Sequence, residues 1–301
     1  MIDSIAQTLE NLRADAEILF DEPLAPYTGF HTGGNARYLL FPSSRNGLVR
    51  CLCALATVGE RCFLLGNGSN VLALDAGFDG CVLITTRALT QMVFNGDEVR
   101  CEAGVSLAQL CRECAKRGLA GLEFAYGIPG TVGGAVYMNA GAYGGEIKDV
   151  VQSVSILLKN GETTVYNNVE MEFGYRISRA QREGDAILDA TFKLSFASEA
   201  DITGKMDELM ARRKDKQPLE FPSCGSTFKR PVGAFAGKLI DECGLRGFRL
   251  GGAQISEQHC GFVINSGGAT SDDILNLVDH VRAEVRAKTG YELECEIRIL
   301  Q

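Results

Sequence analysis

The sequence predicts a protein of the α+β class that is built from two domains. Over most of the 301 residues, short apolar segments typical of strands alternate with segments of helical periodicity. Pro218 and Pro222 interrupt this alternation directly after a helical segment, as prolines at a boundary do. We therefore predict a larger first domain over residues 1–200 and a smaller second domain over residues 201–301.

The predicted first domain begins with an amphipathic acidic helix over residues 1–20, which lacks the basic region and apolar run of a signal peptide. A type I′ hairpin is predicted around Asn160 and Gly161, because Asn-Gly between alternating apolar segments favours that turn. The other predicted elements are strands at 36–41, 61–66, 80–85, 90–96, 97–104 and 186–196, and helices at 45–58, 106–119 and 198–217.

The predicted second domain is also a mixture of helices and strands. Helices are predicted over 234–245 and 271–290, and strands over 260–265 and 291–300. The longer helix carries one apolar stripe, which is typical of a helix with one buried face. That stripe consists of Ile274, Leu277, Val278, Val281 and Val285.

Charge argues against a nucleic-acid partner, because the formal net charge is −8 and duplex binding requires neutralisation of phosphates. Residues 201–250 nevertheless carry ten basic and seven acidic side chains, a local excess that suits a small anionic ligand. A solvated basic helix face at "ARRKDK" explains part of the same excess. No apolar run approaches the roughly 18 residues of a membrane span. We expect a cytoplasmic protein with a small-molecule substrate.

The eleven cysteines are scattered through apolar segments without the spacing of a disulfide framework. We therefore expect reduced thiols in a reducing compartment. Cys111 and Cys114 form a CxxC motif, but the motif lies in a helical segment and has no second ligand pair at zinc spacing. The sequence predicts core or surface thiols and no metal site.

Two glycine-rich segments, 64–74 and 127–134, are candidates for holding a phosphate group, because backbone N–H groups in such turns bind anions. For a single such segment, a tight turn that requires a positive φ is the favoured interpretation. The common nucleotide fingerprints are absent: residues 66–71 lack the last glycine of GxGxxG. Residues 233–239 are one residue too short for a P-loop.

Seven motifs, in order, resemble one family closely: "TGGNARYL", "LLGNGSNVL", "GIPGTVGGAVYMNAGAYG", "GYRIS", "PSCGSTFKRP", "KLIDECGLRG" and "LECEIRIL". The family is UDP-N-acetylenolpyruvoylglucosamine reductase of bacterial peptidoglycan synthesis. The resemblance implies a vanillyl-alcohol-oxidase-type (PCMH) FAD-binding domain of two α/β subdomains, plus a smaller C-terminal α/β substrate domain. Only about fifty residues separate "GYRIS" from "PSCGSTF", which resembles the shorter class of the family that lacks an inserted tyrosine loop.

The resemblance also implies an activity and a set of site residues. NADPH would reduce bound FAD, and the reduced flavin would pass a hydride to the enolpyruvyl ether of UDP-N-acetylglucosamine enolpyruvate. Arg176, Ser226 and Glu296 are the implied catalytic residues, and Arg230, Lys238 and Arg246 the implied substrate-binding residues. The implied FAD-binding residues are Gly66, Asn67, Gly68, Ser69, Asn70, Gly130, Thr131, Gly133, Gly134, Asn139, Gly141 and Tyr143.

Without the resemblance, Ser226 would be interpreted as a turn residue and Arg176 and Glu296 as surface charges. Two alternative functions remain at this stage. One is another FAD-dependent oxidoreductase of the same fold that acts on an alcohol or sugar, and the other is a non-catalytic sensor of nucleotide sugars. The role of His259 is open, with a structural histidine favoured over a substrate contact.

Overall fold

A computed structural model describes residues 2–301, with only the backbone described for residues 2–4. The described chain divides into two compact units that are each discontinuous in sequence. The first unit contains the residues up to Phe20, Tyr38–Asn67 and Gly80–Arg212, and the second contains Asp21–Arg37, Gly68–Asp79 and Arg213–Gln301. The division into a first domain over residues 1–200 and a second over residues 201–301 stays a prediction.

The helices and strands are named in chain order. The helices are α1 (Ile2–Leu12), α2 (Arg45–Thr57), α3 (Leu107–Ala115), α4 (Val132–Tyr137), α5 (Arg179–Glu183), α6 (Glu199–Lys216), α7 (Ala236–Glu242) and α8 (Ser271–Thr289). The strands are β1 (Ala16–Pro23), β2 (Asn35–Pro42), β3 (Cys62–Leu65), β4 (Val71–Ala73), β5 (Phe78–Ile84), β6 (Met92–Asn95), β7 (Glu98–Glu102), β8 (Leu119–Ala120), β9 (Gly141–Ala142), β10 (Gly145–Glu146), β11 (Val151–Leu157), β12 (Thr163–Asn167), β13 (Ala186–Lys193), β14 (Ser195–Phe196), β15 (Arg249–Leu250), β16 (Ala253–Ile255), β17 (Val263–Asn265) and β18 (Arg298–Leu300).

The larger sheets include a four-stranded one with the order β1-β2-β5-β3, in which β3 and β5 are parallel. A second sheet is antiparallel throughout and has the order β12-β11-β13-β7-β6. Apolar side chains from α2, α3 and both sheets form the core of the first unit, and this burial is the main source of its stability.

The second unit has a smaller core, which α8 covers. All five residues of the predicted apolar stripe of α8 are buried, which confirms that prediction. Thr270 and Asp273 form a capping box at the start of α8, and Gly290 ends the helix with a positive φ of 76°. The sheets of this unit are β15-β16-β17 and a parallel pair of β18 with β4.

Three local predictions were wrong. The N-terminal helix ends at Leu12, and residues 16–20 belong to β1, where exposed Glu17 lies between buried Ala16 and Ile18 with the period of a strand; Met1 lies outside the described residues. The predicted strand at 291–300 is reduced to β18 at its end. The predicted helix at 234–245 is shortened to α7.

The hairpin between β11 and β12 forms as predicted, but its turn is not type I′. A type I′ turn needs a positive φ at both central residues, and of Asn160 and Gly161 only Gly161 has one, at 87°. The Gly161 N–H donates to the Leu158 carbonyl at 2.9 Å, and the Leu158 N–H donates to Glu162 at 2.9 Å. This pattern is the three-residue loop with glycine in the left-handed region.

None of the helices among residues 2–301 combines the length and the apolar character that crossing a bilayer requires.

Candidate functional site

In the first unit, the two glycine-rich segments meet at Gly66 and Thr131. A Cβ on Gly66 would lie 2.4 Å from the Thr131 Oγ1, so any larger residue at position 66 would collide with that side chain. The amide of Asn67 donates to the Pro129 carbonyl at 3.4 Å. The absence of a side chain at Gly66 is therefore explained by contact within the protein.

The backbone amides of the second segment are largely used inside the protein. The N–H of Gly133 donates to the Ala103 carbonyl at 2.8 Å, and the N–H of Gly134 donates to the Thr131 Oγ1 at 3.4 Å. Thr131 thereby caps α4, which begins directly after Gly130 and Thr131. The first segment has a longer row of amides that no hydrogen bond within the described residues uses.

That row runs from Gly66 to Asn70, between β3 and β4. Among the hydrogen bonds of the described residues, none has the backbone N–H of these five residues as its donor. The segment from Gly68 lies in the second unit, where Gly68 accepts from the Gly29 N–H at 3.0 Å and has a positive φ of 61°. A run of unused amides is the chemistry that binds a phosphate group.

The segment 139–143 of the first unit is anchored by the buried side chain of Asn139. Its amide donates to the Glu146 carboxylate at 3.0 Å and to the Gly174 carbonyl at 2.9 Å, and its side-chain oxygen accepts from the Lys148 N–H at 3.0 Å. Asn139 is fully buried, and its side chain holds the backbone around it.

Arg176 lies on the turn that Asn139 holds. It has a positive φ of 57°, and its guanidinium donates to the Gly141 carbonyl at 3.1 Å. A positive φ at a non-glycine residue is strained and persists only where the surrounding structure imposes it. The turn thus places the implied catalytic arginine beside the implied flavin-binding residue Gly141.

Tyr143 belongs to the tight turn between β9 and β10. Tyr143 and Gly144 both have positive φ values, of 55° and 91°, as a type I′ turn requires. The ring of Tyr143 is partly exposed, and the Arg212 guanidinium lies 5.0 Å from its centroid. The Arg212 guanidinium therefore covers one face of the Tyr143 ring.

In the second unit, the segments that contain Ser226 and Glu296 are paired although seventy positions separate the two residues. The Glu296 N–H donates to the Thr227 carbonyl at 2.8 Å, and the Lys229 N–H donates to the Glu294 carbonyl at 2.8 Å. The segment 226–229 therefore runs antiparallel to the segment 294–296. The backbone pairing thus joins the segments of two of the three implied catalytic residues, with Thr227 opposite Glu296.

Thr227 and Asn70 fix this pair of segments. Thr227 is fully buried, and its hydroxyl accepts from the Val263 N–H at 3.0 Å, which ties the segment to β17. The side-chain amide of Asn70 donates to the Glu296 carbonyl at 3.0 Å, so the end of the glycine segment lies against the backbone of Glu296. Ser69 precedes Asn70 and is half-buried.

The implied substrate-binding cations lie on and around α7 in the second unit. Lys238 is 72% exposed and has the Glu242 carboxylate 3.6 Å away, whereas the Arg230 guanidinium lies 3.9 Å over the Phe235 ring. The Arg246 guanidinium donates twice to Asp241, at 2.9 and 2.6 Å. This bidentate pair lowers the pKa of Asp241 through its hydrogen bond to the carboxylate.

His259 is partly buried beside α7. Its Nδ1 accepts from the Gly261 N–H at 3.1 Å, and its ring makes an edge contact with Phe262 at 4.9 Å between centroids. Burial lowers the pKa of His259, which favours the neutral ring. Both contacts are made within the protein, as expected of a histidine with a structural role.

Comparisons with known proteins match both units. A model of the FAD-binding domain family matches residues 36–167, and a model of the C-terminal domain of UDP-N-acetylenolpyruvoylglucosamine reductase matches residues 217–300. The UDP-N-acetylenolpyruvoylglucosamine reductase of Pediococcus pentosaceus is 47% identical over 294 residues, which cover 98% of each chain. This chain belongs to the UDP-N-acetylenolpyruvoylglucosamine reductase family. The family membership confirms the resemblance on which the predicted activity depends.

Solved structures confirm the predicted fold class. The crystal structure of the family member from Thermus caldophilus is 36% identical and superposes with a TM-score of 0.79, covering 95% of this chain and 99% of that one. The BBE-like 1 protein of Physcomitrella patens is similar in fold, with a TM-score of 0.50 and 16% identity over 63% of this chain and 44% of that one. The fold is the PCMH-type FAD-binding fold with the C-terminal domain of the reductase family.

Sequence reasoning missed the residues that support the site. Thr227 follows Ser226 directly, but nothing in the sequence shows that its hydroxyl is buried against β17. Glu146 lies seven positions after Asn139 and holds it through a hydrogen bond that no periodic pattern indicates. The only available signal for either residue is its place next to a motif of the family.

Proposed function

We propose that this protein reduces UDP-N-acetylglucosamine enolpyruvate to UDP-N-acetylmuramate with NADPH as the reductant. The reaction would supply a peptidoglycan precursor in the cytoplasm. The observation that carries the proposal is the close similarity of this chain, along its length, to reductases of that name. The antiparallel pairing of the segment 226–229 with the segment 294–296 supports it.

The residues present fit an FAD molecule. The unused amides of Gly66 to Asn70 suit a pyrophosphate, and the family model for FAD binding spans the segments 66–70 and 130–143. When bound there, FAD supplies the hydride chemistry, accepting a hydride from NADPH and giving it to the vinyl carbon of the substrate. The protein's own residues would stabilise the negative charge that hydride transfer creates on the substrate and donate the proton that completes the product.

Arg176 and Glu296 would stabilise negative charge on the substrate. Hydride addition to the vinyl carbon leaves charge on the adjacent carbon and on its carboxylate, and a guanidinium pairs with such a carboxylate. A protonated Glu296 would add a hydrogen bond to the same group.

Ser226 would donate the proton that completes the saturated lactyl ether. A hydroxyl is a weak acid, but a delocalised enolate is a strong base, so the transfer depends mainly on position. The exposed place of Ser226 after Gly225, which has a positive φ of 73°, leaves its hydroxyl accessible to a ligand. Buried Thr227 fixes the backbone beside it.

Arg230, Lys238 and Arg246 would bind the UDP diphosphate. All three are exposed cations of the segment with local positive charge. The Arg246 guanidinium keeps its bidentate pair with Asp241 and its hydrogen bond to the Glu257 carbonyl, so it would offer its two remaining N–H donors to the ligand. Lys238 has a longer and more exposed ion pair and is the freer of the two to reorient.

The test is a steady-state assay of the purified chain with FAD, NADPH and the enolpyruvyl substrate. We expect NADPH consumption that depends on the substrate and a product heavier by two hydrogen atoms. UDP-N-acetylglucosamine, which lacks the enolpyruvyl group, is the control and should give no consumption. Oxidation of an alcohol or sugar without consumption of NADPH would contradict the proposal and favour the alternative oxidoreductase.

A further inference from the structure

Cys62 and Cys81 are paired in register across two neighbouring parallel strands of the first unit. Cys62 is the first residue of β3, which lies at the edge of its sheet, and it is exposed to solvent. Cys81 lies inside β5 and is buried. The Cys81 N–H donates to the Arg61 carbonyl at 2.8 Å, so the two strands are held together at this point.

This register suits a disulfide bond. Paired residues of parallel strands direct their side chains to the same face of the sheet, and neighbouring strands lie about 4.8 Å apart. That separation falls within the range of roughly 4.4 to 6.8 Å between the Cα atoms of natural disulfides. Cys62 begins an edge strand, where the backbone can adjust to bring the two sulfur atoms into contact.

The chemistry of the pair is asymmetric. A hydrogen bond between the two side chains lowers the pKa of Cys62, and the same hydrogen bond together with burial raises the pKa of Cys81. Cys62 is therefore the thiol that becomes a nucleophilic thiolate more readily. The CxxC motif behaves differently, because Cys111 and Cys114 are both buried and burial raises the pKa of Cys114 to about 12.

We propose that Cys62 is a site of oxidation by hydroperoxides and that Cys81 resolves the oxidised form to an intramolecular disulfide. The Cys62 sulfur attacks one peroxide oxygen, so an S–O bond forms, the O–O bond breaks and the other oxygen leaves as water or an alcohol. The Cys81 sulfur then attacks the Cys62 sulfur. The S–S bond forms, the S–O bond breaks, and hydroxide leaves as water with the Cys81 proton. The two thiols lose two electrons, which reduce the peroxide.

The disulfide would close the stretch of chain from Cys62 to Cys81, which includes the glycine segment Gly66 to Asn70. Oxidation would therefore act on the segment proposed to hold the FAD pyrophosphate. This consequence rests on the proposed function, whereas the disulfide itself rests on the strand register and the exposure of Cys62. A mapping experiment on the protein with its FAD separates the two, because it needs no activity.

The experiment treats the full chain with hydrogen peroxide, blocks free thiols with N-ethylmaleimide in denaturant, and maps the non-reduced peptides by mass spectrometry. We expect one new cross-linked peptide that joins Cys62 to Cys81 and disappears after reduction with dithiothreitol. Cys62→Ser should abolish the cross-link completely. In Cys81→Ser, dimedone should trap a sulfenic acid at Cys62 that does not accumulate in the unsubstituted protein.

Cys53→Ser is the matched control, because Cys53 is also partly accessible but lies in the helix α2 and not in a pair of strands. The control should leave the cross-link unchanged. Absence of the Cys62–Cys81 peptide in the oxidised protein, or oxidation of Cys62 no faster than that of Cys53, would overturn the proposal. The buried position of Cys81 does not weaken the test, because Cys62→Ser changes only an exposed side chain.

Discussion

Asn139 joins three segments of the first unit through one buried amide. It connects β10 through Glu146, the following turn through the Lys148 N–H, and the turn of Arg176 through the Gly174 carbonyl. Its φ of 43° lies in the left-handed region, which asparagine tolerates better than most residues. Both the side chain and the backbone of this position therefore require asparagine.

Asn139→Ala tests this role at the scale of a residue. The variant leaves the Lys148 N–H and the Gly174 carbonyl without their partner, and a buried polar group without a partner costs about 1 to 3 kcal/mol. We expect the free energy of unfolding, measured by urea titration, to fall by about 2 kcal/mol or more. Exposed Asn95→Ala is the control and should change it by less than about 0.5 kcal/mol. Equal effects of both substitutions would contradict the account.

The variant Ser226→Ala distinguishes proton donation to the substrate from hydride transfer to the flavin. Flavin reduction by NADPH should remain nearly unchanged, while flavin reoxidation by the enolpyruvyl substrate should slow by roughly 10² to 10³, the usual contribution of one preorganised polar donor. Stopped-flow absorbance resolves both half-reactions. Ser223→Ala, in the same segment, should leave both rates near those of the unsubstituted protein. Rapid reoxidation in Ser226→Ala would show that another group donates the proton.

At the scale of elements, Asp189 connects one helix to the five-stranded sheet. It lies in β13 with 2% of its side chain exposed, and it accepts hydrogen bonds from Arg45 at the start of α2, from Arg100 of β7 at 3.0 and 2.8 Å, and from Ser155 of β11 at 2.9 Å. Burial by itself raises the pKa of Asp189, but the hydrogen bonds from the two arginines outweigh it and hold the pKa below its usual range.

Asp189→Asn should lower the free energy of unfolding at pH 7 by about 3 kcal/mol, near the lower end for a broken buried ion pair because Arg100 is 54% exposed. The folded-state pKa is depressed, so the carboxylate contributes stability above the unfolded pKa of about 3.9 and loses it as the pH falls through the folded pKa. The difference in free energy of unfolding between the Asp189→Asn variant and the unsubstituted protein should therefore become smaller below about pH 4.

Denaturant titrations of both proteins across this pH range measure the difference in their free energies of unfolding. Asp79→Asn is the control, because Asp79 pairs with Arg37 at the surface and is 79% exposed, so the substitution should cost less than about 1 kcal/mol at every pH. A loss of unfolding free energy in Asp189→Asn that stays constant as the pH falls would contradict the ion-pair explanation.

The elements that the sequence predicted well are those that local patterns determine. The apolar stripe of α8 and the alternation of β11 appear in the sequence with their periods, and both elements form where predicted. The two-residue strands β9 and β10, which pair with each other, were missed because two residues are too few to show a period. The strand at β18 was predicted too long, because its pairing with β4 joins segments that are distant in the sequence. The turn at Asn160–Gly161 shows the same limit, since its dipeptide allows more than one turn type.

At the scale of the whole molecule, each compact unit gathers segments that lie far apart in the sequence. Residues 21–37 and 68–79 belong to the unit that also contains residues 213–301, an arrangement that no local pattern indicates. The pairing of the Ser226 and Glu296 segments is equally non-local. The residues of the candidate site were therefore found through the family resemblance, whereas their structural supports became visible only in the fold.

The central claim is that this chain binds FAD and uses it to transfer reducing equivalents from NADPH to an enolpyruvyl ether. Anaerobic stopped-flow absorbance of the intact chain tests it most directly. We predict that the flavin band bleaches on mixing with NADPH and returns on a second mixing with UDP-N-acetylglucosamine enolpyruvate, much faster than with buffer. A protein that binds no FAD, or a reduced flavin that the substrate reoxidises no faster than buffer does, would contradict the claim.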